Sequence, residues 1–166
     1  MASEELLEVV DRSDAVLHLA PRGLIHARGL MHRAVHVLVL APDGRVYLQK
    51  RSHTKDTYPG CWTSSASGHV DPGEGYAQAA RRELAEELGL DISPEPLAYI
   101  PAQPATGWEF TWVFTLRTGR RPHPDPAEIA ELELFDPAQA LQLAAGPAAS
   151  ASLEVVLRAL YRYLEG

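Results

Sequence analysis

The stretch that decides the fold is Gly68-His69-Val70-Asp71-Pro72-Gly73-Glu74-Gly75-Tyr76-Ala77-Gln78-Ala79-Ala80-Arg81-Arg82-Glu83-Leu84-Ala85-Glu86-Glu87-Leu88-Gly89-Leu90. Its second half predicts a helix over residues 77–88, because Ala77, Ala80, Leu84 and Leu88 recur at helical spacing. Gly89 is placed to stop that helix, with Leu90 folding back as the apolar contact after it. At about 100° per residue, Glu83, Glu86 and Glu87 fall within an arc of roughly 100° beside the apolar stripe. Three neighbouring carboxylates repel one another. A hard divalent cation such as Mg²⁺ removes that repulsion and favours phosphate-bearing partners. Arg82 stands one turn before Glu86, within reach of the acidic set. Upstream, Asp71-Pro72-Gly73-Glu74 carries Pro and Gly at the centre of a turn, which would bring Gly68 back towards the helix. A glycine at that point lets a backbone carbonyl approach a metal without a side chain in the way.

The spacing is Gly68, five residues, Glu74, seven residues, Arg82-Glu83, Leu84, one residue, Glu86-Glu87, one residue, Gly89, Leu90. Every constrained position of the Nudix box is thereby matched, and a chance match in a chain of this size would occur about once in a million. The segment resembles the Nudix family, and the resemblance implies an α/β class fold, an α/β/α sandwich around a central mixed β-sheet. It implies a hydrolase of phosphoanhydride bonds, acting on nucleoside di- or triphosphates or on compounds linked to a nucleoside diphosphate. Glu83, Glu86 and Glu87 would hold Mg²⁺, for which Mn²⁺ can substitute, with the Gly68 carbonyl assisting. Glu74 would brace the loop, and Arg82 would orient the catalytic glutamates. A general base would come from outside the box, with Glu109, Glu128 and Glu131 as candidates.

A second resemblance lies upstream. His32, Gln49-Lys50-Arg51-Ser52, Lys55-Asp56-Thr57-Tyr58-Pro59-Gly60, Trp62-Thr63 and Ser67-Gly68-His69 are similar to the Nudix-fold isopentenyl diphosphate isomerases. Those enzymes use a cysteine just before the Gly-His pair, where this chain has Ser67. Serine does not supply a thiol of tunable pKa. They also use a Glu-x-Glu strand motif, of which Gly107-Trp108-Glu109 keeps only the second glutamate. The complete acidic helix therefore favours a hydrolase of the isomerase-like branch over an isomerase. A non-catalytic nucleotide-binding module is the third reading, against which stands the retention of every box glutamate.

Lys50, Arg51 and Lys55 form a basic group suited to phosphate, while His69 and Trp62 are candidate substrate contacts. Tyr58, Trp108 and Trp112 are further aromatics able to stack on a base. His26, His32 and His36 follow no tight zinc spacing, and His36 alternates with Val35 and Val37 as a strand residue would.

Around the box, residues 7–19 read as two short edge strands, and 33–41 and 45–50 as a hairpin about Pro42-Asp43-Gly44. Residues 51–63 read as a loop, 96–103, 109–117 and 129–135 as strands, and 150–164 as a helix. Its buried stripe is Leu153, Val156, Leu157, Leu160, Tyr161 and Leu164. The alternation is too irregular for a doubly wound parallel sheet. With 166 residues and no composition shift, residues 1–166 are expected to form one domain. The net charge of −7 argues against a nucleic-acid footprint. No apolar run reaches membrane-span length. The acidic start lacks the order of a secretion signal, and Cys61 is the only cysteine, so a cytoplasmic location with a small-molecule partner is expected.

Overall fold

The computed structural model describes residues 4–166. Two strands come first, β1 (Leu6–Val10) and β2 (Val16–Pro21), which pair antiparallel as a sheet of their own. A short helix, α1 (Arg22–Arg28), folds back on them and buries Ile25 against Leu7, Val9 and Ala20. Asp14 fastens this unit to the body. Its carboxylate accepts from Arg33 Nε at 2.7 Å and from the Tyr76 hydroxyl at 2.6 Å.

The main sheet has seven strands: β3 (His32–Leu40), β4 (Val46–Arg51), β5 (Trp62–Thr63), β6 (Ala66–His69), β7 (Glu95–Ile100), β8 (Glu109–Arg117) and β9 (Ile129–Phe135). It is mixed, because β3 and β8 run parallel while the remaining pairs are antiparallel. The strand alternation of β3 sorts its side chains onto two faces. Val35, Val37 and Val39 pack under α2 (Tyr76–Leu88), against Ala79, Ala80, Leu84 and Leu88. Leu38 and Leu40 point the other way, under α3 (Pro137–Ala144) and α4 (Ala151–Glu165), with Leu153, Val156, Leu157 and Leu160. The result is the expected α/β/α sandwich. No described helix is long and apolar enough to cross a membrane.

Several local expectations are corrected. The hairpin at residues 33–50 closes with one pair only, Leu40↔Val46. Beyond it β3 turns to β6 and β8, and β4 to β5 and β9, so the two strands diverge and open a notch. Trp62 and Thr63 leave the loop to pair with β4. Ala77 is exposed and Ala79 takes the buried place, which rotates the apolar stripe slightly. Leu164 is exposed at the fraying end of α4.

Candidate active site and metal-binding groups

The even face of β3 changes character along its length. Leu38 and Leu40 lie under helices, whereas His32, Ala34 and His36 extend past them. Ala34 and His36, with Ser67 and His69 of β6 and Glu109 of β8, line a cavity of about 800 Å³, and His32 is buried behind them. Arg22 and His26 of α1 close one side. Ser150 and Ser152, at the start of α4, close another.

The acidic side of α2 reaches this cavity at the notch. Glu87 is buried, and its Oε1 accepts from Gln49 Nε2 of β4 and from the backbone N–H of Ser67, both at 3.0 Å. Burial, reinforced by the Glu83 charge, pushes the Glu87 carboxyl up to about 8. Burial likewise pushes Glu83 up to about 7. Glu86 projects into the open mouth with 60% of its side chain exposed. A divalent cation bound here would compete with protons on Glu83 and Glu87. The donor set fits a hard cation.

Arg82 organises the group. Its Nε and Nη2 donate to the two Glu74 oxygens at 2.8 and 2.9 Å, a bidentate pair. Nη1 donates to Glu83 at 2.7 Å and more weakly to Glu86 at 3.4 Å, and Nη2 also reaches the His69 carbonyl at 3.1 Å. Glu74 is consequently held ionised, below its ordinary range. Glu74 also accepts from the Asp71 N–H at 3.0 Å, across a turn in which Gly73 has φ +77° as a type II turn requires. Gly68 faces Glu83 so closely that a Cβ there would overlap the carboxylate and stand 2.9 Å from Cγ. The helix ends as read, with Gly89 at φ +65° and the Leu90 N–H returning to the Leu84 carbonyl.

A second cluster escaped the sequence reading. The ligand atoms of His26, His32 and His69 lie within 4.8 Å of one another. Glu109 Oε2 stands 3.5 Å from His69 Nε2 and 3.7 Å from His32 Nε2. His32 Nδ1 donates to the Leu30 carbonyl at 2.8 Å, which leaves Nε2 a bare lone pair, buried and without a hydrogen-bond partner among the described residues. Burial lowers His32 to about 4 and His26 and His69 below the ordinary imidazole range, while it raises Glu109 to about 8. All four groups thus favour their neutral forms, so the close approaches are not ion pairs. Neutral imidazoles beside a carboxyl, one of them with an orphaned lone pair at His32 Nε2, fit a borderline divalent metal.

The other candidates divide. Arg51 lines the cavity and is fixed by bonds from Nε and Nη2 to the Thr57 carbonyl and hydroxyl. Lys55 lines it too, ion-paired with Glu128, which also faces the cavity. Lys50 and Glu131 do not, because strand alternation turns them to the opposite face, where they approach each other at 3.6 Å. Trp62 is likewise outside, packed edge-on to Phe135 with ring centres 5.3 Å apart. Tyr58 and Trp108 stand at the cavity mouth, both about half-exposed and both with positive φ.

Residues 30–156 match the family model of the NUDIX domain. The chain is 39% identical over 153 residues to an isopentenyl-diphosphate Delta-isomerase of Nocardia farcinica, covering 86% of each. It is 36% identical over 132 residues to an uncharacterized Nudix hydrolase of Streptomyces coelicolor, covering 78% of this chain and 73% of that one. Among solved structures, a protein of Deinococcus radiodurans superposes with a TM-score of 0.85 at 31% identity, covering 95% of this chain and 100% of the other. An Ap4A hydrolase of C. elegans shares the fold, with a TM-score of 0.61 at 22% identity and coverage of 81% and 99%. The chain belongs to the Nudix family.

Proposed function

We propose that this protein is a divalent-metal-dependent hydrolase of a phosphoanhydride bond in a nucleoside di- or triphosphate or a nucleoside diphosphate-linked compound. The observation that carries this reading is the Arg82 hub, which holds Glu74 and Glu83 together, reaches Glu86, and leaves an acidic rim on the cavity. Glu83, Glu86 and Glu87 would hold Mg²⁺ with the Gly68 carbonyl. A bound cation would neutralise phosphate charge and make a water more acidic.

The residues themselves do the rest. Arg82 fixes the Glu83 rotamer, and Gln49 with the Ser67 N–H fixes Glu87. Arg51 and Lys55 supply positive charge for the phosphate chain, and among the described lining residues the further Arg and Lys side chains are Arg22 and Arg82. Glu128 is the candidate base, since Glu131 faces away and Glu109 sits among the histidines. Incubation with Mg²⁺ and a panel of nucleoside phosphates, nucleotide sugars and dinucleotides tests the reading. Release of phosphate or nucleoside monophosphate should collapse in Glu83→Gln and Glu86→Gln variants. Turnover that survives both variants overturns it.

A second reading is favoured by one observation. The isomerase-like resemblance implies a metal held through a Glu-x-Glu strand, and Glu109, the glutamate this chain keeps, stands beside the cluster of His26, His32 and His69. Ser67 at the cysteine position and Gly107 at the first glutamate position stand against isomerisation. Isopentenyl diphosphate therefore belongs in the same panel.

A further inference from the structure

The wall of the cavity beyond Ser67 is not used by the phosphate chemistry. Here His36 stands directly across from Ser67 in the β3–β6 pairing. It is 6% exposed, and its Nδ1 is 2.7 Å from Ser64 Oγ. Ser64 spends its one hydroxyl hydrogen on the Ala66 carbonyl at 3.3 Å. With that hydrogen so placed, His36 Nδ1 is the donor to Ser64 Oγ, and Nε2 carries a lone pair with no hydrogen-bond partner among the described residues. Beside it a chain of hydroxyls runs along the wall. Ser150 Oγ donates to Thr63 Oγ1 at 3.0 Å and stands 3.4 Å from Ser152 Oγ. Since Thr63 accepts from Ser150, its own hydrogen remains to be donated. Among the described residues, Ala34 is the only aliphatic side chain lining the cavity. A hydrocarbon would find little apolar surface on this wall and would strand the His36 acceptor.

We propose that this wall, made by His36, Thr63, Ser67, Ser150 and Ser152, is a subsite for a hydroxyl- or amino-bearing organic group of the substrate, with His36 Nε2 accepting its O–H or N–H. The proposal rests on the reading of the cavity as a diphosphate site and narrows what the diphosphate carries. His36 then selects among substrates, and a hydrocarbon substituent such as an isopentenyl chain is disfavoured.

The test is calorimetric binding with Ca²⁺ in place of Mg²⁺, run beside hydrolysis assays with Mg²⁺. The ligands are ADP, its 2′-deoxy and 3′-deoxy forms, inosine diphosphate, the CDP and UDP pair, and isopentenyl diphosphate. The deoxy forms report a sugar hydroxyl as the donor, and the inosine and uridine forms report a base amino group. Loss of the correct donor should weaken binding about 5–10-fold in the wild type. In His36→Leu that difference should shrink to within about twofold, and His36→Gln, which keeps an acceptor, should restore part of it. Ser152→Ala, a milder change at the surface of the wall, should lower the same preference without unfolding the chain. Equal binding of all analogues by the wild type overturns the subsite. So does a His36→Leu loss that is uniform and includes isopentenyl diphosphate. If nothing is hydrolysed but the ranking of affinities holds, the hydrolase reading falls and the subsite stands.

Discussion

Replacing Gly68 with alanine tests the metal site at its tightest point. The added methyl would overlap the Glu83 carboxylate and stand 2.9 Å from Cγ, and the backbone of β6 cannot move away without breaking its pairing with β3. The carboxylate must therefore retreat by about 1 Å or more to reach ordinary contact. That displacement breaks its 2.7 Å bond from Arg82 and removes it from any cation shared with Glu86 and Glu87. A shift of this size in a reacting constellation costs on the order of 10²-fold in activity. Disturbed ligand positioning costs roughly 10–100-fold in metal affinity. The lost charge-assisted bond contributes about 1.5–3 kcal/mol at most, which is a fall in Tm of roughly 3–12 °C. Activity should be titrated against Mg²⁺ for wild type and Gly68→Ala, with thermal melts in parallel. A folded variant with wild-type Mg²⁺ dependence would refute the assignment of Glu83 as a ligand packed against the Gly68 backbone.

Other outcomes follow from the same geometry. Arg82→Ala should destabilise by about 2–4 kcal/mol, because Glu74 and Glu83 lose their partner while mostly shielded; Arg82→Lys should recover only part in chemical denaturation, lacking the planar fork. The pH dependence of metal stabilisation has a definite sign. Glu83 and Glu87 are raised to about 7 and about 8, from an ordinary 4.5. The metal-free fold therefore holds more protons than the unfolded chain between those values. Its contribution from these groups is full below pH 4.5 and is lost as pH rises through about 7–8. A cation competes with those protons, so the Mg²⁺-induced rise in Tm should be larger at pH 8.5 than at pH 6; scanning fluorimetry that found the reverse would contradict the burial of these carboxylates. Gln49→Leu should lower Mg²⁺ affinity by roughly 10-fold, since Glu87 loses a positioning donor. Finally, Co²⁺ titration should give visible bands from imidazole ligation that vanish in His32→Asn and persist in Glu86→Gln; bands lost only in Glu86→Gln would place the soft site elsewhere.

The acidic helix was legible because its constraints are local. The turn at Gly73, the stop at Gly89 and the 100° arc of carboxylates are all fixed within 23 residues. The strands at 109–117 and 129–135 were legible from composition and agree with the structure. The histidine cluster was not, because His69 is 37 residues from His32 and meets it only through the pairing Ala34↔His69, with α1 folding His26 over both. One signal was present. His32, Ala34 and His36 occupy the same face as Leu38 and Leu40, and polar residues at core-face positions mark where the covering layer ends. α3 was also missed, although Asp136-Pro137 with Gln139 spells a helix start, and the Asp136 carboxylate accepts from the Gln139 N–H at 2.8 Å. The placing of Lys50 and Trp62 outside the cavity depended on the register of β4, which turns on pairing partners far away in sequence.

The most direct test of the central claim is turnover in ¹⁸O-labelled water with Mg²⁺ and the best-cleaved nucleoside phosphate, followed by mass spectrometry of the products. One ¹⁸O per cleavage event should appear in a released phosphate or nucleoside monophosphate, with the signal lost in Glu86→Gln. No label in any product, together with conversion of isopentenyl diphosphate to its isomer, would contradict it.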